Sequence, residues 1–281
     1  MKKKLTAVAL VVCMLAIMLV GASLAYFTDK DQVENTFTVG NVKIDLYETG
    51  VNGKTDTGIT FTDAIVPGRV FAKNPTIEVE DGSQNAYIFL DMTINKYKSL
   101  CPVMAQDAIA DTTIDYTENE FQACMKQTNN GIKFSTTEFL AQMKAKPAVF
   151  RAIVNKWFDG INHEQWKTCG FFYNVDDTDT TKDGNYMTIR FAYIGKDTVS
   201  AADGPITFMT AFHMPKSVTQ EMVENEKANV NSFNTTEEEF KMNFTAYAIQ
   251  ADQIANVSDA FTALFGTKTE LGAYWHPVDQ Q

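Results

Sequence analysis

His163-Glu164, followed by Gln165, Trp166 and Lys167, is the stretch that comes nearest to metal chemistry. A zinc-binding HExxH helix puts two imidazoles one turn apart on a shared ion and uses the glutamate as general base. Here Lys167 stands where the second histidine is needed. His213 and His276 lie far along the chain, and neither has an acidic sequence neighbour. A zinc site would therefore need all three histidines to converge in space. The plain alternative is that they are surface or turn histidines.

The run Asp176-Asp177-Thr178-Asp179-Thr180-Thr181-Lys182-Asp183-Gly184 has the oxygen-rich composition that suits a hard cation. Its spacing does not match an EF-hand loop. Gly184 comes too late in the run, and Thr188 stands where a bidentate glutamate belongs. Asp177, Asp179 and Asp183 are candidates for weak calcium binding and nothing tighter. Their alternative is a solvated hairpin turning at Asp183-Gly184.

Past residue 25 the cysteines are Cys101, Cys124 and Cys169, with no pair at CxxC spacing. A zinc knuckle or a thioredoxin-type motif is excluded on that ground. An odd count allows at most one internal disulfide, and small buried apolar residues are the simpler expectation. The chain has no GxSxG, no phosphate-cradling glycine loop and no reactive-cysteine signature. No catalytic residue is assigned.

The elements that would carry these residues are mostly strands. Thr36–Tyr47 alternates but changes phase, Phe37 and Val39 sharing one parity and Val42, Ile44 and Leu46 the other. Gly40-Asn41 marks a bulge or bend at the slip. Further strands are expected over Ile59–Ile65, Phe71–Val79, Ala86–Ile94, Gly170–Val175, Tyr186–Ile194, Ile206–His213 and Phe240–Gln250. The middle of the chain, about 96–168, reads as a partly helical insertion. Ser135-Thr136-Thr137-Glu138 is a capping box, and Pro147 suits the first turn of a second helix. Phe150, Ile153, Val154, Trp157 and Phe158 carry that helix to Asp159-Gly160. Glu118–Thr128, Ser217–Asn229 and Ser258–Phe265 are three more helix candidates. Many strands with one buried face indicate a mainly β protein built as an antiparallel β-sandwich.

At the other end, Lys2, Lys3 and Lys4 precede an apolar run, LTAVALVVCMLAIMLV, and then Gly21-Ala22-Ser23-Leu24-Ala25. A positive head, an apolar stretch and small residues at Ser23 and Ala25 fit an export signal cleaved after Ala25. The alternative is an uncleaved membrane anchor, for which the run of about 16 residues is slightly short of the ~20 that cross a bilayer as a helix. The expected organisation is a signal peptide at 1–25, an N-terminal segment at 26–37 and one domain at 38–281. Losing the signal removes three of the 24 basic side chains and none of the 35 acidic ones. The net charge of −11 then deepens to about −14. Such an acidic surface argues against nucleic acid or an anionic membrane as partner. A remaining chain of about 256 residues buries roughly 70–75% of its unfolded surface, enough for one substantial core.

The residues after the junction carry a resemblance. Tyr26-Phe27-Thr28-Asp29, then Asn35-Thr36-Phe37-Thr38-Val39-Gly40-Asn41-Val42-Lys43-Ile44-Asp45-Leu46, resemble the mature start of the TasA/camelysin family. Lys73-Asn74-Pro75-Thr76-Ile77-Glu78-Val79, Asn85-Ala86-Tyr87-Ile88-Phe89-Leu90 and Phe244–Asp252 resemble later strands of that family, in the same order. The resemblance covers a third to a half of the chain. It implies a secreted Gram-positive protein, processed by a SipW-type signal peptidase, with jelly-roll topology and a place in the biofilm matrix or at the cell surface.

The resemblance also implies a mechanism, in which the segment Tyr26–Phe37 leaves its own subunit and completes the sheet of the next copy. Tyr26, Phe27, Val33 and Phe37 would be the donor-strand anchors. Because donor and acceptor surfaces differ, such contacts run head to tail and yield a fibre. The alternative for this segment is an edge strand of its own domain. For the whole protein, the resemblance leaves two other roles open: a camelysin-like zinc metalloendopeptidase, and an accessory protein that nucleates or anchors fibres. No cofactor is expected beyond weak calcium.

Overall fold

The computed structural model describes residues 28–31, 37–39, 42–50, 53–55, 68–95, 97–111, 113, 125–128, 131–134, 136–173, 186–219, 242–267 and 272–277. The chain begins with the strands β1 (Thr28–Asp31), β2 (Phe37–Val39), β3 (Ile44–Gly50), β4 (Gly53–Thr55), β5 (Val70–Ala72), β6 (Pro75–Val79) and β7 (Ala86–Asn95). Helix α1 (Tyr97–Ala110), strands β8 (Met125–Thr128) and β9 (Gly131–Phe134), and helices α2 (Thr136–Ala145) and α3 (Pro147–Trp157) follow. Then come β10 (Trp166–Tyr173), β11 (Tyr186–Tyr193), β12 (Ile206–Thr207), β13 (Ala211–His213), β14 (Met242–Gln250), α4 (Val257–Phe265) and β15 (Gly272–Tyr274).

The protein is mainly β, and its strands pair antiparallel. A seven-stranded sheet runs β15-β10-β11-β7-β14-β1-β2, and a four-stranded sheet runs β12-β6-β3-β4. Among the described residues two ribbons, β13-β5 and β8-β9, complete the set.

Side-chain alternation explains which faces meet. In β7, Ile88, Leu90, Met92 and Ile94 enter the main core, while Tyr87 and Phe89 join a smaller cluster on the opposite face. β11 repeats this with Met187, Ile189 and Phe191 on the first side and Ala192 on the second. The four-stranded sheet adds Ile44, Leu46, Ile77 and Val79 to the same main core. Burying each large side chain stabilises by ~1.5–3 kcal/mol, so this shared layer is the principal cohesive contact. Phe150, Ile153, Val154 and Trp157 attach α3 to it, with Pro147 at the start of the helix as its sequence requires.

The smaller cluster is covered by α4. Asn256 caps this helix by accepting a hydrogen bond from the Asp259 amide at 2.9 Å, and Gly266 ends it at φ 64°. That left-handed conformation suits glycine.

Several expectations need correction. The single strand expected over Phe71–Val79 is two, in different sheets, because the chain turns inward at Lys73 and resumes at Pro75. Proline at the first residue of a strand forfeits no ladder bond. Ile206–His213 likewise splits into β12 and β13. Met125–Thr128, expected to end a helix, is a strand paired with Gly131–Phe134. The intervening Asn129-Asn130-Gly131 sequence is a hairpin signal that outweighs a short run of helical spacing. Ser217–Thr219, the described start of another expected helix, begins within a turn closed by the Val218 amide on the Pro215 carbonyl, and is not helical. β10 starts at Trp166, earlier than expected, and contains a bulge between Thr168 and Gly170. Signal residues 1–25, Ile59–Ile65, Gly40-Asn41 and the remainder of Ser217–Asn229 lie outside the described residues.

Candidate functional site

The first described residues form a strand inside the seven-stranded sheet. β1 reads TDKD and lies between β14 and β2. Thr28, Asp29, Lys30 and Asp31 are in register with Ile249, Ala248, Tyr247 and Ala246 of β14. On its other side Thr28, Asp29 and Lys30 face Val39, Thr38 and Phe37 of β2. Of the four donor-strand candidates, Phe37 is in β2, while Tyr26, Phe27 and Val33 lie outside the described residues.

The two partners of this pairing are unequal. β14 registers with β7 along all nine of its residues, from Met242↔Ile94 to Gln250↔Ala86. Among the described residues β1 registers with four of them. β14 supplies buried Ala246, Ala248 and Ile249 to the two cores. The sequence of β1, TDKD, contains no apolar residue, and main-chain pairing joins it to β14.

A buried polar network fixes β14 from behind. Asp91 and Arg190 are cross-strand partners on β7 and β11. Arg190 donates from Nε to Asp91 Oδ1 and from Nη2 to Oδ2, each at 2.6 Å. Its Nη1 donates to the Tyr274 hydroxyl at 2.9 Å, and the Tyr247 hydroxyl donates to Asp91 Oδ2 at 3.1 Å. The Phe265 ring covers the guanidinium, with its centroid 3.5 Å away. Burial works against the Arg190 charge, but the Asp91 carboxylate outweighs it and raises the pKa. Burial, reinforced by Asp91, pushes the Tyr247 phenol well above its usual range, so it remains a donor. Strands β15, β11, β7 and β14 are thereby tied together without β1. Short bidentate charged bonds of this kind are about twice as strong as neutral ones.

A second buried pair, Lys73 Nζ and Glu48 Oε1 at 2.6 Å, joins the inward turn before β6 to β3. Desolvation lowers the Lys73 pKa.

The histidines do not meet. His163 lies in a turn before β10, not on a helix, and its Nε2 donates to the Phe158 carbonyl at 2.9 Å. Burial lowers its pKa. His213 Nε2 is 3.3 Å from Asp159 Oδ2, an acidic partner that sequence adjacency did not reveal. His276 packs on Phe261, with ring centroids 5.9 Å apart. Among the described residues no group of three His, Cys, Asp or Glu side chains is placed to hold a metal. The calcium candidates Asp177, Asp179 and Asp183 lie outside them.

Cys101 and Cys169 are free and buried. Burial pushes the Cys101 thiol up to about 12, and the Cys169 thiol above the usual range. Neither is poised as a nucleophile, since the reactive form is the thiolate. Cys124 lies outside the described residues. Among the described residues no helix is long and apolar enough to cross a membrane.

The Asp91–Arg190 network escaped the sequence reading because its members are spread from residue 91 to residue 274. The one available signal was a charged residue interrupting each of two otherwise apolar strands. No family model, curated protein or solved structure matches this chain.

Proposed function

We propose that this chain is an exported structural subunit of an extracellular matrix fibre, joined head to tail by exchange of its N-terminal strand. The observation that carries the proposal is the position of β1, a short polar strand held between β14 and β2. If β1 leaves, β14 presents main-chain donors and acceptors along an edge that β7 and the Asp91 network hold in place. The same strand from another copy can enter in the same register, because the site was built for that sequence. Each subunit then gives one strand and receives one, which propagates without closing. Main-chain bonds supply the affinity, and the side-chain pattern fixes the register.

The shared core of the two larger sheets supports a β-sandwich for the domain, and the family resemblance is what supports jelly-roll topology within it. The lysine-headed apolar segment ending at Ser23-Leu24-Ala25 supports export. The order of motifs after that junction supports membership of the TasA/camelysin family, with a SipW-type peptidase acting at Ala25. A net negative surface keeps monomers apart at low salt and lets screening favour contact as the Debye length falls to ~8 Å at physiological ionic strength.

Negative-stain electron microscopy of protein starting at Tyr26 tests this reading. Filaments of beaded subunits are expected, and protein lacking Tyr26–Phe37 is expected to stay a folded monomer. Filaments formed equally well by the truncated protein would falsify the exchange mechanism.

A further inference from the structure

A cleft of about 350 Å³ opens between the turn following α3, the end of β11 and the β12–β13 stretch. Its lining mixes apolar and polar side chains. Val199, Ile206, Phe208 and Met209 line the cleft and are buried. Tyr193 joins them, and Trp166 packs behind, its ring centroid 5.2 Å from that of Tyr193 and 5.3 Å from that of Phe208.

The rim is polar and carries no net charge. Lys196 and Asp203 face the cleft as an ion pair, each neutralising the other. Lys196, with help from Ser200, holds the Asp203 carboxyl down to about 2, so the pair stays ionised at neutral pH. Asn162 and Gln165 add two side-chain amides, joined by an Asn162 Nδ2 to Gln165 Oε1 bond of 3.0 Å. That bond uses one donor of the first and one acceptor site of the second. An amide acceptor on Asn162 and an amino group on Gln165 are left for a ligand. Thr207 and Thr210 also line it, the Thr207 hydroxyl bonded to the Thr76 hydroxyl at 3.3 Å and the Thr210 hydroxyl donating to the Gly160 carbonyl at 3.5 Å.

The walls are fixed before any ligand arrives. The Thr210 amide donates to the Gly160 carbonyl at 2.9 Å, and the Asn162 amide to the Phe208 carbonyl at 3.2 Å. Gly160 is so close to the opposite wall that an added Cβ would stand 2.0 Å from the Ala211 carbonyl oxygen. A preformed cleft avoids the cost of ordering loops on binding.

We propose that this cleft binds one ring of a neutral saccharide. A pyranose presents C–H groups on its face and hydroxyls around its edge, which matches the small apolar surface of Tyr193 and Ile206 beside the amides of Asn162 and Gln165. A volume near 350 Å³ is at the small end of ligand sites and suits a single ring, while the open rim lets a longer chain continue into solvent. The self-neutralised ion pair gives an anionic sugar no net attraction. The cleft is separate from the β1 position, so this site does not depend on strand exchange.

Ligand-observed saturation-transfer NMR on the purified protein tests it in any assembly state. The probes are glucose, galactose, N-acetylglucosamine and the tetrasaccharides of the first and third, with tetra-alanine as a peptide comparison. Saturable transfer to at least one neutral sugar is expected, with a Kd on the order of 1 mM and strongest saturation on one ring. The pair Asn162→Ala and Gln165→Ala, whose side chains are outside the core, should weaken it at least about tenfold, a loss of roughly 1.4 kcal/mol. Glu164→Ala, on the same turn but not in the cleft lining, should leave it unchanged. No saturable transfer from any of these sugars, equal binding by the double variant, or a preference for tetra-alanine overturns the proposal.

Discussion

Asp91 and Arg190 are 99 residues apart in sequence and directly opposed on adjacent strands, joined by two hydrogen bonds of 2.6 Å beneath the Phe265 ring. This pair holds the middle of the seven-stranded sheet together, and through Tyr247 it also holds the strand against which β1 lies. Asp91→Ala would leave a buried guanidinium without its carboxylate. Breaking one side of a buried pair costs about 3–5 kcal/mol. Urea unfolding should show that loss for Asp91→Ala. Adding Arg190→Met should recover much of it, because the stranded charge goes too.

Lys73 and Glu48 invite the same comparison at the four-stranded sheet. Their side chains are 0% and 6% exposed, so Glu48→Ala should cost about 3–5 kcal/mol in chemical denaturation. The double replacement Glu48→Leu with Lys73→Met should be far milder, because apolar residues of similar volume remove the desolvation penalty along with the attraction. A double variant as unstable as the single one would show that the pair does more than balance its own burial.

Asp111 gives a pH signature. Lys156 at 2.7 Å, with the Thr113 hydroxyl and amide, holds its carboxyl down to about 2. The unfolded value is ~3.9, so the unfolded chain binds the proton more readily. The Asp111 contribution is therefore present above about pH 4 and is lost as pH falls through about 2. Unfolding followed from pH 5 to pH 2 should show a shallower decline for Asp111→Asn than for the parent protein. Parallel curves would remove Asp111 from the account.

Asn256 caps α4, the helix that places Phe265 over Arg190. Asn256→Ala should cost about 1 kcal/mol, measured by thermal or urea unfolding.

Cys101 and Cys169 should resist iodoacetamide at pH 8 in the native protein and react once it is unfolded, with mass spectrometry of peptides as the readout. Burial raises both thiol pKa values and also blocks the reagent.

What the sequence made legible was local. Alternation in Ala86–Ile94, Tyr186–Ile194 and Phe240–Gln250 located β7, β11 and β14 to within about two residues. Pro147 and the Phe150–Trp157 spacing located α3. Helix α1 falls in the stretch 96–168 that reads as partly helical but is not singled out there, although Cys101, Met104, Ala105 and Ala108 are spaced for a helix face. The turn at Lys73 was hidden by the apolar residues on either side, which read as one continuous strand. The cleft and both buried ion pairs combine residues from strands and turns far apart in sequence. Periodicity reports on one element at a time and is silent about such meetings. The phase change between Val39 and Val42 was readable as a bend, but not as the passage from the seven-stranded sheet to the four-stranded one.

The most direct test of strand exchange mixes two proteins with one new cysteine each, Asp29→Cys and Ala248→Cys, which are register partners on β1 and β14. Each is also assembled and oxidised alone, to account for the native thiols. Strand exchange should give disulfide-linked dimers on a non-reducing gel from the mixture, at levels neither protein gives alone, and covalent ladders from the double variant under assembling conditions. Filaments that form normally while the mixture gives no such dimers, with the double variant oxidising within single chains, would contradict it.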